Sequence, residues 1–367
     1  MAGFPFMRQA EAFRSSLPFI LLLAVFILPC PMSAAAKPPA IAFVHLLLPP
    51  GGEPHASPTG WIGSLDRARD TLESLRIPTI VSSASPGNAE DLNELSEMDP
   101  EVLITTSPLL YAAACDVAKR SPNTVFFACT DETVHDNMSG FQARTYEAHY
   151  LAGLIAGALS EDGVIGYLAN DPYQSKASRL RNANAFTLGA QKSKAAIRVL
   201  YAPGNDPDEE LKTLIAAGAD IVDLERALPS LVERLREHSV RYVGTAGRTV
   251  DPLCLAAPEW EWSNAFGDLL TQVRFGIWRP RNVSYGIKEG VVGLSPFGPA
   301  VPETVRVRVR EAKEAIRNGA SPFEGPVRDV SGSLRIAEGS VPDDATLRGM
   351  DWRVQGLEPL PLTPDGL

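Results

Sequence analysis

The stretch VLITTSPLLYAAACDVAKRSPNTVFFA, residues 102–128, decides the fold. It opens on an unbroken apolar run, Val102-Leu103-Ile104-Thr105. A helix-forming segment from Pro108 to Lys119 follows, and a second apolar run, Thr124-Val125-Phe126-Phe127-Ala128, closes it. Neither run alternates with polar residues, so each strand is covered on both faces, as in a parallel sheet with helices above and below. Upstream the same unit recurs. Ile41–Leu46 reads as a buried strand and 49–60 as a Pro/Gly-rich loop. Trp61–Leu75 reads as a helix with Ile62, Leu65, Ala68, Leu72 and Leu75 on one face, Thr79–Val81 as a strand and Asp91–Met98 as a helix. Downstream the rhythm restarts: helix Tyr146–Leu159, strand Gly163–Leu168, helix Ser178–Lys192, strand Ile197–Leu200, helix Asp208–Ala217, strand Asp220–Val222, helix Leu228–Glu237 and strand Arg241–Gly244. Beyond it the pattern is less regular, with a helix at Trp262–Gly276, a strand at Tyr285–Val292, a helix at Pro302–Asn318 and short strands at Val327–Val330 and Ser333–Ala337.

The fold class is therefore α/β, with two doubly wound Rossmann-like lobes joined by a hinge near Phe141, Thr245 and Tyr285. Residues 37–140 plus 246–284 are assigned to lobe 1, residues 141–245 plus 285–358 to lobe 2, and 359–367 to a frayed tail. Ligands of such sheets sit beyond the carboxyl ends of the strands. The loops to watch follow Leu48, Ala128, Leu168, Val222 and Gly244.

The N-terminus reads as an export signal, residues 1–36. Arg8 and Arg14 precede the apolar run Leu17–Leu28, and the small residues Ser33-Ala34-Ala35-Ala36 follow it. The run is shorter than the ~20 residues of a membrane span. Cys30 is a second candidate end-point, a lipid anchor, but prolines flank it where a lipobox has a small residue before the cysteine. The expectation is a mature protein starting near Lys37, delivered across the inner membrane to the periplasm and monomeric.

Charge excludes one function class. With 34 basic and 44 acidic residues the chain carries a net charge of −10, the wrong sign for a nucleic-acid binder, which must displace counterions from phosphates. The cysteines beyond the signal, Cys115, Cys129 and Cys254, form no CxxC and no Cys/His cluster at metal spacing. Cys115 sits in the helix Pro108–Lys119 and Cys129 ends the strand returning beside it, so either a Cys115–Cys129 bridge or separate buried thiols is consistent with the sequence. None of the five histidines lies in HExxH, beside a GxSxG elbow or in a triad setting, and there is no P-loop. His135 and His149 stand near carboxylates, but a surface or packing role explains both. Gly153 and Gly157 do not fit a dinucleotide fingerprint and read as close helix packing. No cofactor, metal or catalytic residue is expected.

The segment Ser139–Asn170, SGFQARTYEAHYLAGLIAGALSEDGVIGYLAN, together with Asn184-Ala185-Phe186-Thr187-Leu188-Gly189-Ala190-Gln191, resembles the basic-membrane-protein (BMP) family of solute-binding proteins. Arg144, Tyr146, Glu147, Tyr150 and Gly153 fall on that family's R-x-YE-x-x-YLAG pattern. Gly218-Ala219-Asp220, Trp260-x-Trp262, Gly276-x-Trp278, Pro296-Phe297-Gly298, Phe323-x-Gly325-Pro326 and Met350-x-Trp352 continue the match in order. The resemblance implies a type I periplasmic binding fold that captures a nucleoside-like solute for an ABC importer, with the importer's permease as partner.

It also implies site residues. Trp61 lies where family members stack an aromatic ring on a base, although a core helix residue is an equal reading. Asp131, with Glu132 beside it, matches a ribose-binding carboxylate, although either could merely cap the loop. Arg144, Asn170 and Lys288 complete the candidates. Two departures stand out. The loop Leu48-Pro49-Pro50-Gly51-Gly52 offers only Glu53 as a carboxylate, and Gly244-Thr245-Ala246-Gly247-Arg248 puts Arg248 where the family has aspartate. An arginine fork suits carboxylate or phosphate, so the solute is expected to differ from a plain nucleoside. The alternatives are a sensing or docking protein uncoupled from transport and an extracytoplasmic enzyme.

Overall fold

The computed structural model describes residues 39–47, 60–130, 132, 135–171, 174–244 and 251–360. The export signal, Cys30, Glu53, Asp131, Thr245 and Arg248 lie outside these residues. From the amino end come β1 (Ile41–Leu46), α1 (Gly60–Ser74), β2 (Thr79–Ala84), α2 (Glu90–Ser96), β3 (Val102–Thr105), α3 (Tyr111–Ala118), β4 (Val125–Cys129) and β5 (Met138–Ala143). Next come α4 (Tyr146–Leu159), β6 (Val164–Leu168), α5 (Lys176–Ser193), β7 (Arg198–Ala202), α6 (Pro207–Ala216), β8 (Ile221–Leu224), α7 (Pro229–Glu237) and β9 (Arg241–Val243). The remainder is β10 (Cys254–Ala256), β11 (Pro258–Trp260), α8 (Ser263–Arg274), β12 (Asn282–Tyr285), β13 (Val292–Leu294), α9 (Glu303–Arg317), β14 (Val327–Arg328), β15 (Leu334–Ile336), α10 (Asp344–Arg348) and β16 (Leu357–Pro359).

These strands build two six-stranded parallel sheets, β12-β5-β4-β3-β1-β2 and β10-β9-β8-β6-β7-β16. The apolar runs predicted this: β1, β3 and β8 are buried along their whole length, as central parallel strands must be. The two sheets with helices on both faces form the expected α/β fold.

Sheet membership moves the expected boundaries. Phe141–Ala143 belong to the first sheet as part of β5, so that crossover comes after Ala143. Cys254–Ala256, placed in lobe 1 from the sequence, pair with β9 of the second sheet. The expected strand Tyr285–Val292 is instead two strands: β12 closes the first sheet, while β13 pairs antiparallel with β11. Pro359, expected in the tail, ends edge strand β16 on β7, where a proline's missing N–H costs no ladder bond.

The expected option of a Cys115–Cys129 bridge is wrong; both thiols are unbridged. The pleat gives the reason. Along β4 successive side chains alternate faces, so Phe126 and Ala128 join Cys115 in the core under α2 and α3. Phe127 and Cys129 point into the core on the other face.

That second core runs without interruption from the first sheet to the second, and α4 lies at its centre. This helix is apolar nearly all round because it is buried nearly all round. Its contact with α5 is backbone on backbone. A Cβ at Gly153 would stand 2.1 Å from the Phe186 carbonyl oxygen, one at Gly157 2.2 Å from that of Ala190, and one at Gly189 2.1 Å from that of Tyr150. The reading of Gly153 and Gly157 as packing glycines is thus what the fold requires. Replacing Gly157 by Ala should destabilise the chain by about 1–3 kcal/mol through overpacking. Helix propensity alone would give up to ~1 kcal/mol in the opposite direction. Urea unfolding of Gly157→Ala reads the sign directly.

Candidate functional site

The carboxyl ends of the first sheet face the amino end of α5 across a cavity of about 180 Å³. On the first-sheet side stand Trp61, Pro108, Cys129 and Gln142; on the other, Gln174, Ser175, Ser178, Arg181 and Asn182. Trp260 and Arg348 close the ends. The position is the one that topology assigns to ligands of parallel sheets.

Each wall is fixed locally. Ser175 caps α5, its hydroxyl accepting from the Ser178 N–H at 3.1 Å; this starts the helix two residues before the expected Ser178 and turns its first side chains into the cavity. Asn182 donates to Gln174 Oε1 at 2.8 Å, holding two cavity amides together. Opposite, the Trp61 indole N–H donates to the Thr106 carbonyl at 2.8 Å. The ring lies parallel to Phe141 at 6.4 Å and meets Trp260 and Trp262 edge-on at 5.8 and 5.3 Å. Trp61 is half-buried: its N–H is spent within the protein and its apolar surface borders the cavity. The Trp260 N–H is likewise spent within the protein, on Thr145 Oγ1 at 3.3 Å.

The other candidates from the sequence fall elsewhere. Arg144 is a joint between crossovers: it donates to Glu147 Oε1 at 2.7 Å, to the Ser284 carbonyl at 2.7 Å and to Glu289 Oε2 at 2.5 Å. Those carboxylates in turn accept from the Ile287 and Gly286 N–H groups. Burial alone would lower the Arg144 pKa; Glu147 and Glu289 outweigh it and the net shift is upward. Asn170 is also structural. Its amide donates to the Arg226 carbonyl and accepts from the Arg226 N–H, both at 2.8 Å, clamping the ends of β6 and β8. Glu132 is exposed and its carbonyl accepts from Asn282; Lys288 is exposed. None of Arg144, Asn170, Glu132 and Lys288 borders the cavity. Sequence reasoning did not single out Gln142, Arg181, Asn182 or Arg348. A signal existed for two of them: Arg181-Asn182 stands one residue before NAFTLGAQ, near the start of the helix that forms the opposite wall.

Behind Asn182 lies a buried polar cluster. Tyr167 donates to Glu225 Oε1 at 2.8 Å, His149 meets Asp223 at 3.3 Å, and Asn182 reaches Glu225 at 3.5 Å. Burial pushes Glu225 up to about 7, against the pull of His149 and the Tyr167 hydroxyl. Burial works against the charged form of His149, but Asp223 dominates and raises it. The expectation of a packing histidine is met in a stricter form: His149 balances a carboxylate inside the core.

With this geometry in hand, the comparisons are specific. Residues 65–216 match the family described as Bmp, ABC transporter substrate-binding protein PnrA-like. Over those residues the chain is similar to this family. A purine-binding protein of Brucella abortus is 28% identical over 316 residues, covering 82% of this chain and 89% of its own. A Haloferax volcanii protein named for glucose binding by an ABC transporter is 28% identical over 307 residues, covering 77% and 78%. Among solved structures, an ABC transporter solute-binding protein from Aeropyrum pernix superposes with a TM-score of 0.61 at 16% identity, covering 84% of this chain and 95% of that one. The superposition shows a type I periplasmic binding fold.

Two outcomes follow for the side chains placed here. Arg144→Ala strands the Glu147 carboxylate, 5% exposed, and should cost about 3–5 kcal/mol. Chemical denaturation of Arg144→Ala and of the Arg144→Ala/Glu147→Ala double variant checks it, the double losing less. For Glu225, a folded pKa above the unfolded 4.5 means that the native state holds the extra proton. Its contribution is fully present below pH 4.5 and is lost as pH rises through about 7. Glu225→Gln should therefore match the parent near pH 5 and exceed it near pH 8, by up to about 3 kcal/mol. Melting curves across that range measure the crossover.

Proposed function

We propose that this chain is the extracytoplasmic receptor of an ABC importer, and that it captures a flat, purine- or nucleoside-like solute between its two lobes. The observation that carries this reading is Trp61. Its polar edge is anchored to Thr106, so the half-buried ring offers the cavity a π surface and no hydrogen-bonding group. Facing it are amides and hydroxyls of Gln174, Ser175 and Asn182, which suit the polar edge of a heterocycle or sugar. The Brucella relative named for purine binding supports the same class. The Haloferax relative named for glucose makes hexoses the competing class; a hexose would use the same amides while leaving much of the aromatic wall uncovered.

Closure is the mechanism that fits. The chain passes between the sheets beyond Ala143, around Ala256–Trp260 and beyond Tyr285. A solute touching both walls stabilises the state in which they are near, and closure shifts the population by its differential affinity. The closed form is then what a permease recognises. The Arg144–Glu147–Glu289 joint sits on two of these passages and would keep them in register while the walls move. Delivery across the inner membrane before folding, and a monomeric mature chain, belong to this reading. Among the described residues no helix is long and apolar enough to cross a membrane.

Calorimetry with adenine, adenosine and glucose tests the proposal. Saturable purine or nucleoside binding is expected, and Trp61→Ala should weaken it by 1–3 kcal/mol, roughly 5- to 150-fold. Binding of glucose alone, or purine binding indifferent to Trp61→Ala, would overturn the assignment.

A further inference from the structure

The amides on the α5 wall have a fixed direction. Gln174 Nε2 donates to Asp171 Oδ2 at 3.0 Å. A carboxylate oxygen accepts, so Asp171 decides which end of the Gln174 amide is which: the nitrogen turns to Asp171, and Oε1 turns to Asn182. Asn182 Nδ2 donates to that oxygen at 2.8 Å and reaches Glu225 Oε1 at 3.5 Å. Turning Asn182 over would set its oxygen against two others, and turning Gln174 over would set one against Asp171. Burial holds the chain of contacts in place, with Asn182 1% exposed and Asp171 4%.

What remains for the cavity is one group of each kind. Asn182 directs its amide hydrogens at Gln174 and Glu225, which leaves its carbonyl oxygen, Oδ1. That atom takes no hydrogen bond from a described residue, and it is not among the described polar atoms shut away from solvent without a partner. Asn182 lines the cavity, so the cavity is where Oδ1 opens. Gln174 lines it too and has spent one amide hydrogen on Asp171. Its second hydrogen is a donor beside the Asn182 acceptor. The other polar groups nearby carry no such direction. The Ser175 and Ser178 hydroxyls rotate to suit a guest. Gln142, on the opposite wall, makes no side-chain hydrogen bond to a described residue and can present either end of its amide.

We infer that Gln174 and Asn182 read the solute as one unit and demand a hydrogen-bond donor next to an acceptor, the donor meeting Asn182 Oδ1 and the acceptor meeting Gln174 Nε2. The inference rests on the purine- or nucleoside-like reading above and narrows it. Two parts of a nucleoside carry this pattern. One is the amino-substituted edge of a base, where an exocyclic N–H stands beside a ring nitrogen; the other is a pair of neighbouring sugar hydroxyls. A guest offering only acceptors would set a lone pair against Asn182 Oδ1 and leave a desolvated oxygen unmet, which is how a site built for hydrogen bonds rejects an analogue.

The test is calorimetry of adenosine, purine riboside and 2′,3′-dideoxyadenosine on the parent, Asn182→Ala and Gln174→Ala chains. Purine riboside lacks the exocyclic amino group, and the dideoxy compound lacks the two hydroxyls. All three lay the same flat ring system on Trp61, so stacking cancels in the ratios. In the parent, one analogue should bind at least about tenfold more weakly than adenosine. A loss with purine riboside identifies the base edge as the part that is read; a loss with the dideoxy compound identifies the sugar. Both alanine variants should bring that ratio to within about twofold. Asn182→Ala puts a strong helix former into α5, and Gln174 is half-buried and precedes the helix, so both chains should fold, which melting curves check. If both analogues bind as tightly as adenosine, the inference falls and the purine receptor stands. If an analogue is rejected and both variants still reject it, the assignment to Gln174 and Asn182 is wrong. If adenosine does not bind, the inference falls, and adenine in the calorimetry above decides whether the purine reading falls with it.

Discussion

Much of this molecule depends on the seam between α4 and α5, where glycines let one helix backbone rest on the other. The near-contacts at Gly153, Gly157 and Gly189 are to carbonyl oxygens of the facing helix, so no side-chain rearrangement could admit a methyl group there. The seam fixes the height and rotation of α5 relative to the second sheet. Because the amino end of α5 carries Gln174 to Asn182 into the cavity, a packing constraint at one end of the helix sets the wall of the site at the other. α4 in turn begins at the crossover held by Arg144 and Glu147, so the same seam ties the cavity wall to the connection between sheets.

The sequence was legible where physics is local. Apolar runs such as Val102–Thr105 and Ile41–Leu46 announced central parallel strands, and Tyr146–Leu159 was recognisable as a helix to the residue. It was illegible where an element exists only by pairing. β10, β11 and β16 are three residues each, too short for any periodicity, and their edges are defined by the strands they pair with. Tyr285–Val292 was read as one strand on Tyr285, Ile287, Val291 and Val292; the fold breaks it at Gly286–Gly290, where Glu147 and Glu289 accept backbone N–H groups. The disulfide failed for a reason the sequence contained: counting alternation along β4 puts Cys129 with Phe127, away from Cys115.

The site was half-legible. Trp61 was found through the family resemblance, which left a core helix residue as an equal reading, and the structure puts it on the cavity while packing it against Phe141. Arg144 and Asn170 were drawn in by their place in a motif-rich segment, and both prove to be joints that hold backbone together. Motif residues mark what a fold needs to hold its shape as often as what it binds. Arg348 shows the converse: it sits in a five-residue helix, α10, with no pattern around it, and reaches the cavity because Arg181 ties the neighbouring Leu347 carbonyl down.

The two walls of the cavity differ in kind, and the difference constrains the guest. The first-sheet wall is largely aromatic, with Gln142 and Thr145 as its polar members, and its indole N–H groups donate to Thr106 and Thr145. The α5 wall is amide, hydroxyl and guanidinium. A uniformly polar solute would leave the tryptophan face in contact with displaced water, and a uniformly apolar one would strip the amides of water without replacing their hydrogen bonds, at about 1–3 kcal/mol for each buried group left unmade. On the reading proposed above, a solute with one flat apolar face and one polar edge would meet both walls at once. Contact with both is also the condition for ligand-stabilised closure. The chemistry that selects the guest and the mechanics that would signal its capture therefore rest on the same asymmetry.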